Sequence, residues 1–147
     1  MRRFKRQLGW LISASIVAFP ACGGGGGGGT TVDTNPPQFA QIQVVPSLLE
    51  EGKVVQAEAL VIDLESGVAE VRIQVRYPNG YGQVHQMQRE TGTNHFKVQW
   101  TIPSGVGGEQ NEVQVVFIAS DMRGNIRNLE YTPSPRLAKQ PPNPPSW

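Results

Sequence analysis

The sequence contains a single cysteine, Cys22, among its 147 residues, so no disulfide bond can form within the chain. Any folded domain must therefore be stabilised by its hydrophobic core alone. A chain of this length is expected to form one domain with one such core.

An excess of positive charge is also lacking. Thirteen basic and twelve acidic residues give a net charge of +1, and four of the basic residues lie within the first six positions. Without residues 1–21 the chain has nine basic and twelve acidic residues, a net charge of −3. Because binding to nucleic acid needs a basic surface, we expect no nucleic-acid partner.

Catalytic and zinc-binding motifs are missing as well. The sequence has no Gly-x-Ser-x-Gly motif, and the adjacent Glu50 and Glu51 would point apart. The only two histidines, His85 and His95, flank the loop 89–94 and could meet across a hairpin, but zinc needs at least three protein ligands. We therefore expect exposed strand histidines, no bound zinc and no enzymatic activity.

Residues 1–21 have the order of a secretory signal. Met1 to Arg6 are basic, residues 8–19 are mostly apolar and uncharged, and Pro20-Ala21-Cys22 follow. The apolar stretch is shorter than the roughly 20 residues that span a bilayer. The pattern predicts export of the chain, with residues 1–21 as a cleaved signal peptide.

The end of this signal resembles the lipobox of bacterial lipoproteins. Ala21 is the small residue before the cysteine, and Phe19 stands where an aliphatic residue is usual. The resemblance implies that the Cys22 sulfur is diacylglycerylated, that the chain is cut before it, and that fatty acyl groups such as palmitate anchor it. Gly23 in place of Asp implies an outer-membrane location in the cell envelope.

Unusual composition marks both ends of the remaining chain. Seven consecutive glycines, residues 23–29, follow Cys22 and predict a flexible tether over residues 22–35. Six prolines between residues 133 and 147 predict a disordered Pro-rich tail. The alternative interpretation of this tail is a docking segment for another subunit of an envelope complex, since Pro-rich stretches bind aromatic grooves.

Between these ends, residues 36–132 alternate apolar and polar side chains repeatedly, which is typical of β-strands with one buried face. No window shows a helical stripe. Gly, Asn and Ser turns separate the segments. We predict about seven strands, at residues 40–44, 55–61, 69–75, 82–88, 96–102, 113–119 and 126–131.

Seven short strands over about 100 residues predict an all-β, immunoglobulin-like Greek-key sandwich. Pro36-Pro37, Ser66-Gly67-Val68-Ala69 and the turn from Asp121 to Asn125 are similar to those of bacterial Ig-like modules of envelope proteins. The antibody-type pair of core cysteines is absent, so a fibronectin type III or cadherin-like variant stays open.

Three acidic residues are candidate calcium ligands. Asp63 and Asp121 end the second and sixth predicted strands, which reach the same pole of an Ig-like sandwich, and Glu65 follows in the adjacent loop. In the alternative interpretation, which we favour, Asp63 and Asp121 only cap turns, and no metal or other cofactor is bound.

Tyr77, Tyr81 and Met87 cluster near a predicted hairpin and could either contact a partner or pack at the sheet edge. We therefore expect a non-enzymatic binding or structural module, held at the membrane through Cys22 and contacting a protein or glycan. The alternative is an accessory subunit docked through the Pro-rich tail.

Overall fold

The computed structural model describes residues 32–139. These residues form ten β-strands and no helix: β1 Gln38–Val45, β2 Leu48–Leu49, β3 Val54–Ile62, β4 Val68–Arg76, β5 Gly82–Gln86, β6 Gln88–Arg89, β7 His95–Thr101, β8 Gln114–Asp121, β9 Ile126–Glu130 and β10 Arg136–Leu137.

Two four-stranded antiparallel sheets pack as a sandwich. The first sheet has the order β1-β3-β7-β6 and the second β5-β4-β8-β9. Each sheet has one pair of neighbours that are far apart along the chain: β3 pairs with β7 in the first sheet, and β4 with β8 in the second. This is the connectivity of an immunoglobulin-like Greek-key sandwich, and it confirms the predicted fold class.

The core lies between the two sheets and follows the alternation seen in the sequence. In β4, Val71, Ile73 and Val75 are fully buried while the residues between them are exposed. Strand β8 pairs with β4 in the same sheet and contributes Val115, Phe117 and Ala119, which lie beside these three residues. Each buried aliphatic or aromatic side chain contributes about 1.5–3 kcal/mol to folding relative to an exposed one.

A hydrogen-bonded pair of aromatic residues joins the two sheets. The Trp100 indole N–H donates to the Tyr77 hydroxyl oxygen at 3.1 Å, and that hydroxyl donates to Gln83 Oε1 at 3.1 Å. Tyr77 and Met87 are buried, whereas Tyr81 stacks on Tyr77 and is half-exposed. Of the three residues considered for partner contact, two therefore belong to the core.

The structure corrects the expected end of the domain. We expected the sandwich to stop at residue 132 and residues 133–147 to be disordered. Instead, Arg136–Leu137 form β10, which pairs in parallel with Leu48–Leu49, and both Pro135 and Leu137 are buried. The expectation is wrong for residues 133–139, and residues 140–147 lie outside the described residues.

Candidate functional site

Three carboxylates from separate parts of the chain converge at one end of the sandwich. Asp33 precedes β1, Asp63 directly follows β3, and Asp121 is the last residue of β8. One oxygen from each lies within 4.8 Å of the others. We call Asp33, Asp63 and Asp121 the aspartate cluster; it confirms that the two strand ends meet at the same pole.

Asp63 organises the loop between β3 and β4. Its Oδ1 accepts the backbone N–H groups of Glu65, Ser66 and Gly67 at 2.9, 3.0 and 3.1 Å. Gly67 closes the loop with φ 82°, a conformation that side chains other than glycine rarely adopt. The predicted turn-capping role of Asp63 is thus confirmed, and it occupies only one of the two carboxylate oxygens.

Asp121 has the same role in the loop between β8 and β9. Its Oδ1 accepts the backbone N–H groups of Arg123 and Asn125, both at 2.8 Å, and its Oδ2 accepts the Asn125 amide at 2.7 Å. Gly124 adopts φ 92° in this turn. The Asp121 side chain is only 3% exposed, which makes it the one buried charged residue in the part of the chain that the structure describes.

Asp33 is the member that sequence reasoning missed, because it fell within the expected flexible tether. Its Oδ1 accepts the Asn35 backbone N–H at 2.9 Å, and its carbonyl oxygen accepts the Asn125 amide at 3.2 Å. These bonds hold the segment before β1 against the loop that follows β8. The only sequence signal was an Asx-type pair, Asp33 and Asn35, just before Pro36.

Glu65 does not join the cluster, although the sequence grouped it with Asp63 and Asp121. Its exposed carboxylate accepts a hydrogen bond from the Asn35 side-chain amide at 2.7 Å. Glu65 therefore holds the segment before β1 through its contact with Asn35. Asp33 occupies the position in the cluster that we expected for Glu65.

Several oxygen atoms in the cluster lack hydrogen-bond partners. Asp33 Oδ2 and Asp63 Oδ2 are enclosed and accept no hydrogen bond, and Ser66 Oγ lies enclosed beside them without one of regular geometry. Among residues 32–139, the ion pairs are Arg72–Glu70, Lys97–Glu58 and Lys97–Glu90, so no basic side chain neutralises the cluster.

The surroundings favour the ionised forms of Asp33 and Asp121. The neighbouring Ser66 hydroxyl and the Asn35 backbone N–H lower the pKa of Asp33. Burial alone would raise the pKa of Asp121, but hydrogen bonds from the side chain and backbone of Asn125 and from the Arg123 backbone outweigh it, so the pKa is lowered. The site is therefore a concentration of negative charge that is stabilised by hydrogen bonds from Ser66, Asn35, Asn125 and the Arg123 backbone.

The two histidines lie in different sheets and do not form a pair across a hairpin. His95 begins β7 in the first sheet and is exposed. His85 lies on β5 in the second sheet, where its ring stacks on Trp100 with 5.4 Å between ring centroids. The expectation of an exposed histidine is thus right for His95 and wrong for His85, which is half-buried.

His85 should make the stability of the sandwich depend on pH. Burial lowers the pKa of His85 below 6.5, and its Nε2 has no hydrogen-bond partner. The unfolded chain therefore binds a proton more readily than the folded one, so stability is full above about pH 6.5 and falls as the pH drops below it. In urea titrations, His85→Gln should reduce the loss of unfolding free energy between pH 7 and pH 5, whereas His95→Gln should not. Equal pH dependence in wild type and His85→Gln would contradict this.

No helix among residues 32–139 is long and apolar enough to cross a membrane.

No protein-family model matches the chain, and neither does any curated protein. Among solved structures, it is similar to a DUF4785 family protein from Legionella pneumophila subsp. pneumophila str. Philadelphia 1, with 15% identity and a TM-score of 0.50 over 65% of this chain and 27% of that one. It is also similar to the Pseudomonas fluorescens alkylpurine DNA glycosylase AlkC bound to DNA containing an abasic site analogue, with 12% identity and a TM-score of 0.49 over 70% and 30% of the two chains. The chain spans less than a third of either neighbour's length. At this identity the likeness to the DUF4785 family protein concerns the fold alone.

Proposed function

We propose that this chain is a bacterial cell-envelope lipoprotein, anchored by a lipid on Cys22, that contacts a partner through a non-enzymatic Ig-like module. The partner is a protein or a glycan, and the expected location is the outer membrane. The observation that carries the proposal is the solitary cysteine placed between a short apolar stretch and seven glycines. Cys22 lies outside the described residues.

The sandwich is consistent with separate roles for Cys22, as the lipid attachment point, and for the folded module, as the partner-contacting part. Residues 32–139 contain no cysteine, so the core between the sheets depends on no thiol. The single thiol of the chain is thus free for acylation. The seven glycines give a reach of roughly 15 Å if they behave as a flexible coil, which separates a module from a membrane surface.

The outer face of the second sheet supports a contact role. Gln74 lies between Val84 and Val116 on the neighbouring strands, and Ile118 lies opposite Asn128. Val84 is 62% exposed and Ile126 57% exposed. This face carries both amide and apolar groups, with little charge of one sign, and so has the mixed character of contact surfaces.

Membrane fractionation tests the anchor. We expect wild type to sediment with the membranes and Cys22→Ala to lose most of that association, because the acyl chains are the anchor that we propose. Gly23→Ala is the matched control and should fractionate as wild type does. Retention of Cys22→Ala in washed membranes at the wild-type level would refute the lipid anchor.

The alternative, an accessory subunit docked through the Pro-rich tail, is tested by truncation. A chain that ends at residue 132 is not suitable for this test. Because Leu137 packs in the core, such a truncation would damage the fold itself. A chain ending at Lys139 keeps β10 and removes only residues 140–147. Loss of partner capture from envelope extracts by that chain would favour the alternative, and unchanged capture would favour contact through the sandwich.

A further inference from the structure

We propose that the end of the sandwich where the chain enters β1 lies against the lipid bilayer and inserts two exposed apolar side chains, Leu64 and Met122, into its surface. We call Leu64 and Met122 the apolar pair. The inference rests on the proposed lipid anchor at Cys22. It adds a second contact with the same membrane, at a surface different from the outer face of the second sheet.

Large apolar side chains are exposed together at this end of the sandwich. Leu64 is 93% exposed and Met122 is 68% exposed. They lie on neighbouring loops, because the Met122 backbone N–H donates to the Gly67 carbonyl oxygen at 3.1 Å. A third apolar residue, Val32, is 76% exposed and directly precedes Asp33 of the aspartate cluster. Single exposed apolar residues are common on proteins, whereas several on one surface indicate a site of contact.

The two loops that carry the apolar pair are built in the same way. In each loop an aspartate is followed directly by the apolar residue, Asp63 by Leu64 and Asp121 by Met122. The Asp63 Oδ1 atom accepts three backbone N–H groups of its loop, and the Asp121 Oδ1 atom accepts two. These bonds fix the loop backbones with the apolar side chains in solvent. A loop that is already ordered loses little entropy when it makes a contact.

The length of chain between Cys22 and Val32 identifies the bilayer as the occupant of this surface. An extended chain spans at most about 3.6 Å per residue, so Val32 lies within about 36 Å of Cys22. As a flexible coil the same link would span about 16–19 Å. The nine residues of β4 run from this end of the sandwich to the other and measure about 30 Å. An anchor at Cys22 therefore holds the end with the apolar pair close to the membrane and the opposite end one strand length further away.

The lipid anchor makes a small apolar contact sufficient. Two side chains alone would hold a free protein on a bilayer only weakly, since binding strength follows the buried apolar area. When acyl chains fix the tether in the same bilayer, insertion of the loops becomes an intramolecular step with a high effective concentration. The apolar pair is therefore expected to enter the boundary between headgroups and acyl chains in the acylated protein.

Charge at this end of the sandwich selects the kind of lipid. The aspartate cluster and Glu65 are acidic, and Arg123 is the basic residue of the two loops. Anionic lipids attract basic segments and would repel this acidic surface. Zwitterionic lipid is therefore the expected partner, and apolar insertion rather than electrostatic attraction provides the contact.

The test measures the surroundings of the loops in the full, acylated chain. Arg123→Cys, which places a thiol beside Met122, is extracted from bacterial envelopes, labelled with the polarity-sensitive dye NBD and reconstituted into phosphatidylcholine vesicles. Acylation blocks the thiol of Cys22, the single native cysteine, so the dye attaches only at position 123. We expect blue-shifted NBD emission and loss of roughly half of it or more when the vesicles contain phosphatidylcholine with a nitroxide on its acyl chain, because the loop lies at the lipid boundary.

Two matched variants separate insertion of the apolar pair from mere closeness to the membrane. Adding Leu64→Ser and Met122→Ser to the labelled chain should abolish the blue shift and most of the quenching, while the fold is kept because both side chains are exposed. A dye on Ser104→Cys, in the exposed turn after β7 at the opposite end of the sandwich, should keep its aqueous spectrum and be quenched little.

Flotation with the vesicles and the intact mass report the anchor separately from the loop contact. If the chain carries its lipid and floats with the vesicles, but the dye at position 123 has the same spectrum and quenching as the dye at position 104, the bilayer contact is overturned and the lipid anchor stands. Unchanged spectra after removal of the apolar pair also overturn the contact. A chain without lipid mass that does not float refutes the anchor and, with it, this inference.

Discussion

Replacing Phe117 with alanine should lower the free energy of unfolding by about 3–5 kcal/mol, the usual cost of deleting a buried phenylalanine ring. Phe117 is fully buried in the middle of β8. Its ring contacts Phe39 from the other sheet, with 6.1 Å between centroids, and Tyr131 at 6.3 Å. The truncation would leave a cavity between the two sheets, where both aromatic neighbours lose their contact.

Total stability for a domain of this size is of the order of 5–15 kcal/mol, so Phe117→Ala should remove a large share of it. Denaturant unfolding followed by circular dichroism measures the change. Val84→Ala is the matched control, because Val84 lies on β5 and is 62% exposed; its effect should stay within about 0.5 kcal/mol. A loss below about 1 kcal/mol for Phe117→Ala would show that the two sheets do not pack through this ring.

Ending the chain at Thr132 should destabilise the sandwich by at least about 3 kcal/mol, through loss of a buried leucine and of several hydrogen bonds. The deletion removes Leu137, which is 5% exposed and belongs to the core. It also removes β10, which pairs with β2 in a two-stranded sheet at the fully buried Leu49. Four backbone hydrogen bonds are lost, at 2.7–3.0 Å, from Val113 to Pro135, Arg136 to Ser47, Leu137 to Asn111 and Ala138 to Leu49.

The matched control ends at Lys139 and retains all of these contacts. We expect its unfolding midpoint in urea to be that of the full chain, within about 0.5 kcal/mol. Equal stability of the two truncated chains would mean that residues 133–139 do not belong to the fold.

The main strands could be predicted from the sequence because each carries a run of alternating side chains. In β3 the alternation runs from Val55 to Ile62, and in β4 it runs from Val71 to Arg76, after a bulge between Val68 and Glu70. The two-residue strands β2, β6 and β10 could not be predicted, since two residues show no period. Their existence depends on which segments the folded sandwich brings together.

The Pro-rich segment misled the sequence interpretation for a specific physical reason. Proline lacks the N–H that a sheet interior needs, so six prolines favoured a tail outside the fold. In the structure, however, Pro135 contributes only its carbonyl oxygen, which accepts the Val113 N–H, and the N–H groups of Arg136 and Leu137 complete the pairing. A short parallel pair at the edge of the sandwich tolerates the proline that precedes it.

Two of the three residues of the aspartate cluster could be predicted from the sequence. Asp63 and Asp121 could be placed together because the Greek-key order brings the ends of β3 and β8 to one pole. Asp33 could not, since its position depends on the path of the chain before β1, which no periodicity records. Glu65 was grouped with the other two through closeness in sequence, but its side chain turns to Asn35 instead.

The most direct test of the lipoprotein account is the intact mass of the chain extracted from bacterial envelopes with detergent. The account predicts a mature chain that begins at Cys22, lacks residues 1–21 and is heavier than its amino-acid sequence by a diacylglyceryl group, with or without a further acyl chain on the new amine. The same measurement on Cys22→Ala should show no lipid mass. An unmodified Cys22 in the wild type, or masses of the two proteins that differ only by the substitution, would contradict the account.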